Sequence, residues 1–372
     1  MSSSEPGEQR PGQPSGPPGK SLDLVVIGDC NPDVLVLGGD VTPAFGQQEK
    51  LVDSMSLAVG GSAAITAVAA ARLGLSVALV AAVGTDPAGE FMLGELGRAG
   101  VDTSAVVVRS GAPTGMTVAL SRGADRAILT ALGAIDSLTA ADVPAGLLGR
   151  ARHVHVSSYF LLARSLGPGL ATVLAAARAG GAITSLDTNW DPSGRWGDEH
   201  LRAVLAQTDL LLPNRAEALR LAGALRLAGA QAEALRLAGA ADRPAADLAA
   251  ADLAAAGQVL TAGGARLVIK LGPPGALCID GARRDQVGLA PVTPVDETGA
   301  GDCFNAGLIT GLLSGSPLPE AAALGCATGA LSTGAPGGTG SCPDLATALA
   351  LAKTATIAPA SPGAATSTQW ST

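Results

Sequence analysis

Short apolar runs alternate with Ala-rich stretches along most of the chain, and this alternation constrains the fold more than any other feature. Several runs are apolar at every position, which is the pattern of strands that are covered on both faces. Helix-type stretches lie between most of them, so the pattern predicts an α/β fold, a doubly wound and mostly parallel sheet with helices on both faces. The predicted strands are residues 22–28, 76–84, 153–158, 182–187, 208–213 and 266–272.

Two segments interrupt this alternation, at residues 34–58 and about 105–132. Both contain short strand-like runs and turn residues, with no helix between the runs. Strand-like runs joined by turns indicate β-hairpins rather than βαβ units. We therefore expect a small accessory β-sheet, a lid, over one end of the main sheet.

Biased composition marks both ends of the chain. Residues 1–20 are rich in Pro, Gly and Ser, and residues 354–372 have a similar low-complexity character. Such segments bury too little apolar surface to offset the entropy of ordering. The sequence thus predicts disordered tails on either side of one domain at residues 21–353.

The hexapeptide LRLAGA occurs three times, at 219–224, 225–230 and 235–240. Six residues turn a helix by about 240°, so successive copies would not share one helix face. Each Gly also costs a helix about 1 kcal/mol. We interpret residues from about 219 to 257 as a low-complexity insertion in a surface helix or loop, with a partner-binding role as the alternative.

Composition argues against several classes of partner. The net charge is −8 and aromatic residues make up 2% of the chain, so neither a basic stripe nor base-stacking rings for nucleic acid are expected. No run has the length and composition of a membrane span, and the first twenty residues lack the apolar segment of a secretory signal. Five scattered cysteines without a CxxC pair predict reduced thiols in a cytoplasmic protein. With only three histidines, we expect no His-based metal site.

The stretch PVDETGAGDCFNAGLITGLL, residues 294–313, places small residues directly before an acid and an apolar helical pattern. Small residues let backbone N–H groups approach a ligand closely, and a helix start adds unpaired donors and a positive dipole end. Together these features predict an anion site at Gly299, Ala300 and Gly301. The following Asp302 is then placed to accept a proton from a hydroxyl group that attacks a phosphate.

Simpler interpretations of the same stretch exist. Asp302 could act only as a helix N-cap beside a tight turn. A dinucleotide-binding fingerprint fits less well, because GAGDCF lacks the third glycine and does not follow a clear strand. The P-loop pattern GxxxxGK[ST] is absent from the sequence.

A second segment, Val59 to Ser104, favours the phosphate interpretation. It contains a Gly-Gly turn, a small-residue helix, a strand, Gly84-Thr85-Asp86, and later Gly100-Val101. Together with the TGAGD stretch, it resembles the two signatures of the PfkB, or ribokinase-like, family of carbohydrate kinases. The resemblance covers about residues 22 to 350, with the motifs in the order of that family.

The resemblance implies roles for residues on the sugar side and at the phosphate. Asp302 matches the catalytic base, and Gly299, Ala300 and Gly301 match the anion hole. Carboxylates suit sugars because each can accept two hydroxyl hydrogen bonds. The implied substrate-binding residues are Asn31, Asp33, Gly60 and Gly61. A turn residue after the first strand is the alternative for Asp33.

The resemblance also implies how ATP and its ions are held. Asn214 and Glu217 match an NxxE motif that organises Mg²⁺ through water, and oxygen ligands suit this hard cation. A helix cap with a solvated Glu217 is the alternative. Lys270, Gly272 and Gly275 match the strand and turn that border the nucleotide. Asp296 and Thr298 fall where many members of the family bind a monovalent cation such as K⁺.

Three positions depart from the family pattern. Ile65 stands where an Asn usually contacts sugar hydroxyls, Glu297 stands in place of a Thr, and Ile135 replaces the Asn of a frequent GAN. Losing one such polar contact costs about 0.5–1.5 kcal/mol. The segment DTNWDPSGRW, residues 187–196, either lines the cleft or forms a structural loop.

The sequence therefore predicts ATP-dependent phosphorylation of a hydroxyl group on a sugar or sugar-like molecule, with Asp302 as general base. A nucleoside kinase and a sugar-binding regulatory protein with little turnover are the alternatives. The resemblance also implies a homodimer formed through the lid. Neither the substrate nor the phosphorylated hydroxyl group follows from the sequence.

Overall fold

A computed structural model describes residues 20–122, 125–230 and 250–360. Most of the predicted N-terminal tail lies outside these residues, as do residues 361–372 of the predicted C-terminal tail. The third LRLAGA copy, at 235–240, also lies outside them. No helix within the described ranges is long and apolar enough to cross a membrane.

Within the described residues the main sheet has nine strands, and six of them run parallel to one another. In spatial order the sheet is β15-β14-β13-β12-β11-β10-β9-β1-β4, with antiparallel pairing from β12 to β15. The strands are β1 Leu22–Ile27, β4 Val77–Val80, β9 Ala151–Val156, β10 Ile183–Leu186, β11 Leu210–Leu211, β12 Arg266–Gly272, β13 Gly275–Asp280, β14 Arg283–Gly288 and β15 Thr356–Pro359.

Helices cover this sheet on both sides. The α-helices are α1 Ser62–Arg72, α2 Pro87–Arg98, α3 Ala145–Arg150, α4 Tyr159–Leu162, α5 Gly167–Ala179, α6 Leu201–Leu205, α7 Arg215–Ala230, α8 Ala250–Leu260, α9 Ala300–Leu313, α10 Leu318–Ser332 and α11 Leu345–Ala352. Short 3₁₀ turns lie at Gly133–Ser137 and Ala140–Asp142.

The central strand β1 shows why its sequence is apolar at nearly every position. Val25 and Ile27 pack into one core cluster, whereas Leu24 and Val26 pack into a second cluster on the opposite face. Successive side chains of a strand point to opposite faces, so both faces of β1 are buried. The predicted doubly wound α/β fold is confirmed.

The lid is a separate four-stranded sheet in the order β3-β2-β7-β8. Its strands are β2 Asn31–Leu37, β3 Ser54–Gly60, β7 Met116–Arg122 and β8 Asp125–Ala131. The predicted lid segment from about 105 begins earlier than the observed sheet. Val107–Arg109 forms β6 and pairs instead with β5, Ala82–Gly84, in a two-stranded ladder.

The C-terminal part of the domain contains strands that the sequence pattern did not indicate. Strands β13 and β14 extend the sheet as an antiparallel hairpin after β12. Strand β15 then pairs with β14, so ordered chain continues beyond the expected boundary at residue 353. Only four residues form β15, and their backbone pairs with an open sheet edge despite a composition typical of a tail.

The first two LRLAGA copies form part of α7, in which Leu221 and Ala222 pack into the core. The interpretation of these copies as a surface helix is thus only partly accurate, because one side of the helix is covered by the core. All five cysteines are buried, and none of them is in a disulfide in this structure.

Candidate active site

Polar side chains gather at the carboxyl ends of the parallel strands. Asp29 follows β1, Asp187 follows β10 and Asn214 follows β11, while Lys270 lies near the end of β12. Ligands of open α/β sheets bind at this edge, because loops from neighbouring strands meet there. The site is therefore at the position that the fold favours.

The TGAGD stretch forms the start of α9. Gly299 is the N-cap with a φ of +73°, and a Cβ atom there would lie 2.6 Å from Gly338 Cα. Ala300 and Gly301 open the helix, where backbone N–H groups lack helical partners and attract anions. The Ala300 N–H donates to Glu297 O over 3.3 Å in this structure. Small residues and a helix dipole thus meet at one point, as an anion site requires.

Asp302 lies in the first turn of α9, and its side chain is buried. The N-cap is Gly299, so Asp302 does not cap this helix. Burial raises the pKa of Asp302 well above its ordinary value, and Asp187 adds to the rise while Lys270 opposes it. A carboxyl group that holds a proton more readily than usual is suited to general acid–base chemistry.

A buried ion pair lies next to this turn. Lys270 Nζ contacts the carboxylate of Asp187, and Asn305 Nδ2 donates to Asp187 Oδ2 over 2.6 Å. Burial by itself lowers the pKa of Lys270, but Asp187 and then Glu217 raise it above its ordinary value. Lys270 Nζ would lie 3.5 Å from a Cβ atom on Gly301, so a positive charge is held beside the first turn of α9.

Asn214 and Glu217 cap the start of α7 reciprocally. The Asn214 N–H donates to Glu217 Oε2 over 2.8 Å, and the Glu217 N–H donates to Asn214 Oδ1 over 2.9 Å. The helix-cap alternative is therefore accurate for the pair, but Glu217 is buried rather than solvated. Burial raises the pKa of Glu217 to about 7, Asp187 adds to the rise, and Lys270 opposes it.

On the lid, Asn31 and Asp33 lie within β2, so Asp33 is a strand residue rather than a turn residue. Asn31 Nδ2 donates to Asp33 Oδ1 over 3.2 Å and to Thr117 Oγ1 over 3.1 Å. Burial raises the pKa of Asp33 to about 7, with Asp29 adding to the rise and Arg126 opposing it. These side chains form a polar patch on one face of the lid.

The Gly-Gly turn joins this patch to the main domain. A Cβ atom on Gly60 would lie 1.9 Å from Asp33 Oδ1, and one on Gly61 would lie 2.8 Å from Asp29 O. Ser62 follows; its N–H donates to Asp29 Oδ2 over 3.1 Å, and its hydroxyl group accepts from Asn189 Nδ2 over 2.8 Å. The Asp29 carboxylate thus binds the start of α1, directly after the turn that borders the expected sugar-binding acid.

Asp296 and Thr298 form a compact turn before α9. The Thr298 N–H and Oγ1 donate to Asp296 Oδ1 over 2.9 and 2.7 Å, and the Gly337 N–H donates to Asp296 Oδ2 over 2.8 Å. Although burial opposes it, these bonds hold the pKa of Asp296 below its ordinary value. The lid residue Arg126 donates from Nη1 to Thr298 Oγ1 over 2.9 Å.

A cavity of about 270 Å³ opens beside the first turn of α9. One wall is the β12–β13 hairpin, where Gly272 and Gly275 have φ values of +71° and +94°. A Cβ atom on Gly275 would lie 1.9 Å from Val287 O, so only glycine fits there. Other lining residues are Arg126, Lys270, Leu289, Glu297, Ala300, Gly301 and Phe304.

The three departures from the family pattern have different surroundings. Ile65 is buried, and its Cδ1 would lie 2.5 Å from a Cβ atom on Gly338. It therefore packs against the backbone next to the Gly299 turn. Ile135 is also buried, against Gly115. Glu297 is exposed and lines the cavity. None of the three occupies the polar patch around Asp33.

Sequence reasoning missed several residues of the site. Asp29 directly follows a predicted strand, and Asp187 is the last residue of another. Because ligands bind at the carboxyl ends of parallel strands, these positions could have identified both residues. Asn305 lies one helical turn after Asp302, and this spacing was a weaker indication that it belongs to the site. Nothing in the local sequence around Arg126 indicated that it reaches the α9 turn.

Solved structures share this fold. A ribokinase of Arabidopsis thaliana complexed with ribose and ATP superposes with a TM-score of 0.70 at 23% identity, covering 89% of this chain and 99% of that one. A structure described as a ribokinase II of E. coli in complex with ATP and Mg²⁺ has a TM-score of 0.73 at 22% identity, with the same coverage of 89% and 99%. The predicted ribokinase-like fold is confirmed.

Sequence comparison supports the same grouping. The ribokinase of Haemophilus influenzae is 28% identical over 294 residues, which is 78% of this chain and 85% of the relative. The family model described as "pfkB family carbohydrate kinase" matches residues 21–345. The chain therefore belongs to the pfkB family of carbohydrate kinases.

Proposed function

We propose that this protein transfers the γ-phosphate of ATP to a hydroxyl group of a sugar or sugar-like molecule, with Asp302 as general base. The position of Asp302 carries the proposal. Its buried carboxyl group lies in the first turn of α9 and interacts electrostatically with Lys270 and with Asp29, which accepts from the Ser62 N–H directly after the Gly60–Gly61 turn. We infer that this base, the anion site and the polar patch around Asp33 face one cleft.

The transfer follows from these positions. Asp33 and Asn31 hold hydroxyl groups of the substrate, and Asp302 accepts the proton of the attacking hydroxyl group as its oxygen forms a bond to the γ-phosphorus. The bond between this phosphorus and the β,γ-bridging oxygen breaks, and ADP leaves with the electron pair. Backbone N–H groups of Gly299, Ala300 and Gly301 stabilise the developing negative charge.

The cavity beside α9 fits a nucleotide. Gly272 and Gly275 bring the backbone of the hairpin close to it, and Leu289, Val292 and Phe304 provide an apolar wall. Nucleotide sites combine apolar surface with a few polar groups in this way. We infer that the base of ATP binds against the apolar wall, with the phosphates directed toward Lys270 and Gly301.

The NxxE pair suits a hydrated cation. No cluster of three or more metal-binding side chains occurs among the residues that the structure describes, so direct coordination by several protein ligands is not the proposal. Asn214 and Glu217 would hold Mg²⁺ through water, and the ion would supply positive charge against the phosphates.

A monovalent cation at Asp296 and Thr298 remains a prediction. The lowered pKa of Asp296 keeps a negative charge at this turn. Comparing turnover in potassium chloride and in tetramethylammonium chloride at equal ionic strength tests it. Equal rates in the two salts would contradict a role for K⁺.

We also propose a homodimer formed through the lid. Strand register places Met55, Leu57 and Leu129 on the face opposite Asp33, and all three are exposed. Exposed apolar patches of this kind mark interaction surfaces. Light scattering should give twice the chain mass for the wild type and the monomer mass for Leu57→Lys. A monomeric wild type would contradict the proposal.

A substrate panel tests the proposed function. ADP formation would be measured with ribose, fructose, 2-keto-3-deoxygluconate, inositol and adenosine, each with ATP and Mg²⁺. Turnover with a sugar or inositol supports the proposal, whereas preference for adenosine would make the protein a nucleoside kinase. Sugar binding by calorimetry without ADP formation would favour a regulatory protein. Cytoplasmic localisation is a separate prediction that this assay does not address.

A further inference from the structure

Two of the buried cysteines lie in contact beside the first turn of α9. The Sγ atoms of Cys303 and Cys342 are 3.2 Å apart, although the two residues are separated by 39 positions in the chain. The sulfur atoms of a disulfide lie about 2.05 Å apart, so these two need to approach by only about 1.2 Å to form one. The fold therefore brings two distant thiols to a position from which they can be joined.

This thiol pair lies against the backbone that supports the glycine turn. Cys303 directly follows Asp302, and its N–H donates to Gly299 O over 2.9 Å. Both Sγ atoms lie 3.4 Å from Gly338 O, to which a thiol can donate. A Cβ atom on Gly299 would lie 2.6 Å from Gly338 Cα, so the two backbone segments are in contact. A disulfide has no S–H group, and oxidation of Cys303 and Cys342 would remove both donors to this carbonyl group.

The two thiols differ in reactivity. Cys303 is fully buried, whereas Cys342 is 9% exposed. The hydrogen bond from Cys303 lowers the pKa of Cys342 and the charge of Arg72 adds to this, although burial opposes both. The hydrogen bond with Cys342 and burial raise the pKa of Cys303. Because the thiolate is the reactive form, Cys342 is the thiol that an oxidant meets first, and Cys303 is the thiol that closes the bond.

We propose that Cys303 and Cys342 form a redox modification site, and that its reversible oxidation to a disulfide by hydrogen peroxide lowers turnover. The Cys342 thiolate attacks one peroxide oxygen, the O–O bond breaks, and the leaving hydroxide takes up a proton to become water. The Cys303 sulfur then attacks the Cys342 sulfenic acid, the S–S bond forms, and the S–O bond breaks. The thiol proton leaves with the second hydroxide as water, so one peroxide is reduced by two electrons. A dithiol reverses the reaction by exchange.

The position of Cys303 explains why the disulfide would slow the transfer. Drawing Cys303 toward Cys342 displaces the first turn of α9, which carries Asp302, and loss of the donors to Gly338 O loosens the support of the Gly299 turn. A displacement of about 1 Å in a catalytic group can cost about 10²-fold in rate. This effect rests on the proposed function, whereas formation of the disulfide does not.

Peptide mapping of the full chain tests the bond itself. A Glu-specific protease cleaves after Glu297 and Glu320, so it separates the peptide of Cys303 from that of Cys342. After peroxide treatment and blocking of free thiols, the two peptides should be found joined and two hydrogens lighter, and dithiothreitol should release them. Fragmentation distinguishes Cys342 from Cys326, which lies on the same peptide. Peptides that stay separate, or a bond to Cys326, overturn the proposal.

Turnover tests the consequence, with each protein compared with its own reduced form. With the best substrate of the panel, oxidation should lower the kcat of the wild type by about 10–10²-fold, and dithiothreitol should restore it. Cys342→Ser keeps a donor for Gly338 O but cannot form the bond, so its kcat should not respond to peroxide. Cys278→Ser, which alters a buried cysteine of β13, is the matched control and should respond like the wild type.

The remaining outcomes separate this inference from the proposed function. A joined pair of peptides with unchanged kcat, or an equal loss of kcat in Cys342→Ser, overturns the role of the thiol pair. A wild type that forms no ADP with any panel member contradicts the proposed function instead. Calorimetric binding of ATP then replaces turnover: oxidation should weaken it at least tenfold, and equal binding in both redox states overturns the inference. Should Cys342→Ser fail to fold, Cys303→Ser takes its place.

Discussion

Lys270 and Asp187 form an ion pair at the ends of two strands of the main sheet, where the Asp187 side chain is 1% exposed and the Lys270 side chain 13%. Asn305 donates to the same carboxylate, so the pair is also hydrogen-bonded to α9. Buried pairs contribute little net stability, but removing one partner leaves an uncompensated charge. The pair fixes the position of a positive charge next to Gly301, where the proposed phosphate binds.

Removing the charge of Lys270 should therefore impair both stability and turnover. Lys270→Met leaves Asp187 buried without its cation, and we expect a loss of about 3–5 kcal/mol in the free energy of unfolding. The double variant Asp187→Asn/Lys270→Met should regain much of that stability in urea unfolding but remain weakly active. Recovery of activity in the double variant would show that the charge itself is not needed.

Asp302→Asn tests the general base. The amide cannot accept the hydroxyl proton, so we expect kcat to fall by about 10²–10⁴-fold. Binding of ATP and of substrate, measured by calorimetry, should persist, because the anion site is made of backbone groups. Glu320→Gln, which neutralises an exposed acid in the first turn of α10, should keep the wild-type kcat. A fully active Asp302→Asn variant would refute the assignment of the base.

The buried state of Asp33 predicts how stability depends on pH. Its pKa is about 7 in the folded protein, against about 3.9 in an unfolded chain. The native state thus holds the proton of Asp33 more tightly than the unfolded chain does. The contribution of Asp33 to the free energy of unfolding is therefore fully present below about pH 4 and is lost as the pH rises through about 7. One pKa unit corresponds to about 1.4 kcal/mol, which makes the loss at most about 4 kcal/mol.

The measurement is urea unfolding of the substrate-free protein between pH 5 and pH 8. Asp33→Asn cannot ionise, so its free energy of unfolding should decline less over this range than that of the wild type. Glu320→Gln, which alters an exposed acid at the start of α10, should follow the wild type. Identical slopes for Asp33→Asn and the wild type would contradict the buried position of this carboxyl group.

Gly60 should be essential for the sugar side of the cleft. A Cβ atom there would lie 1.9 Å from Asp33 Oδ1, so Gly60→Ala must displace that carboxyl group. We expect KM for the substrate to rise by about tenfold or more, equivalent to about 1.4 kcal/mol, with KM for ATP little changed.

Gly97→Ala is the matched control for that variant. Gly97 lies in α2, and a Cβ atom there would have no neighbour within 4 Å. Replacing this helical glycine should stabilise the protein by about 0.5–1 kcal/mol and leave both KM values unchanged. Parallel kinetics for the two alanine variants would show that the contact between Gly60 and Asp33 does not matter for binding.

Much of the fold could be predicted because its signals are local. Apolar runs such as residues 22–28 indicated strands buried on both faces, and β1 has this arrangement. The antiparallel extension by β13, β14 and β15 was not indicated. Segments such as Arg283–Gly288 are polar and lie toward the edge of the sheet, so their strand conformation depends on pairing rather than on burial.

The sequence alone determined the glycine turn before Asp302 and the kind of chemistry that we propose for it, because glycine conformation and helix polarity act within a few residues. Only the tertiary structure decided which distant groups share that turn. Lys270 is paired with Asp187, and Arg126 reaches Thr298, across separations of 83 and 172 residues. Such contacts depend on how strands and lid are arranged in space, and no local pattern around these residues encodes that arrangement.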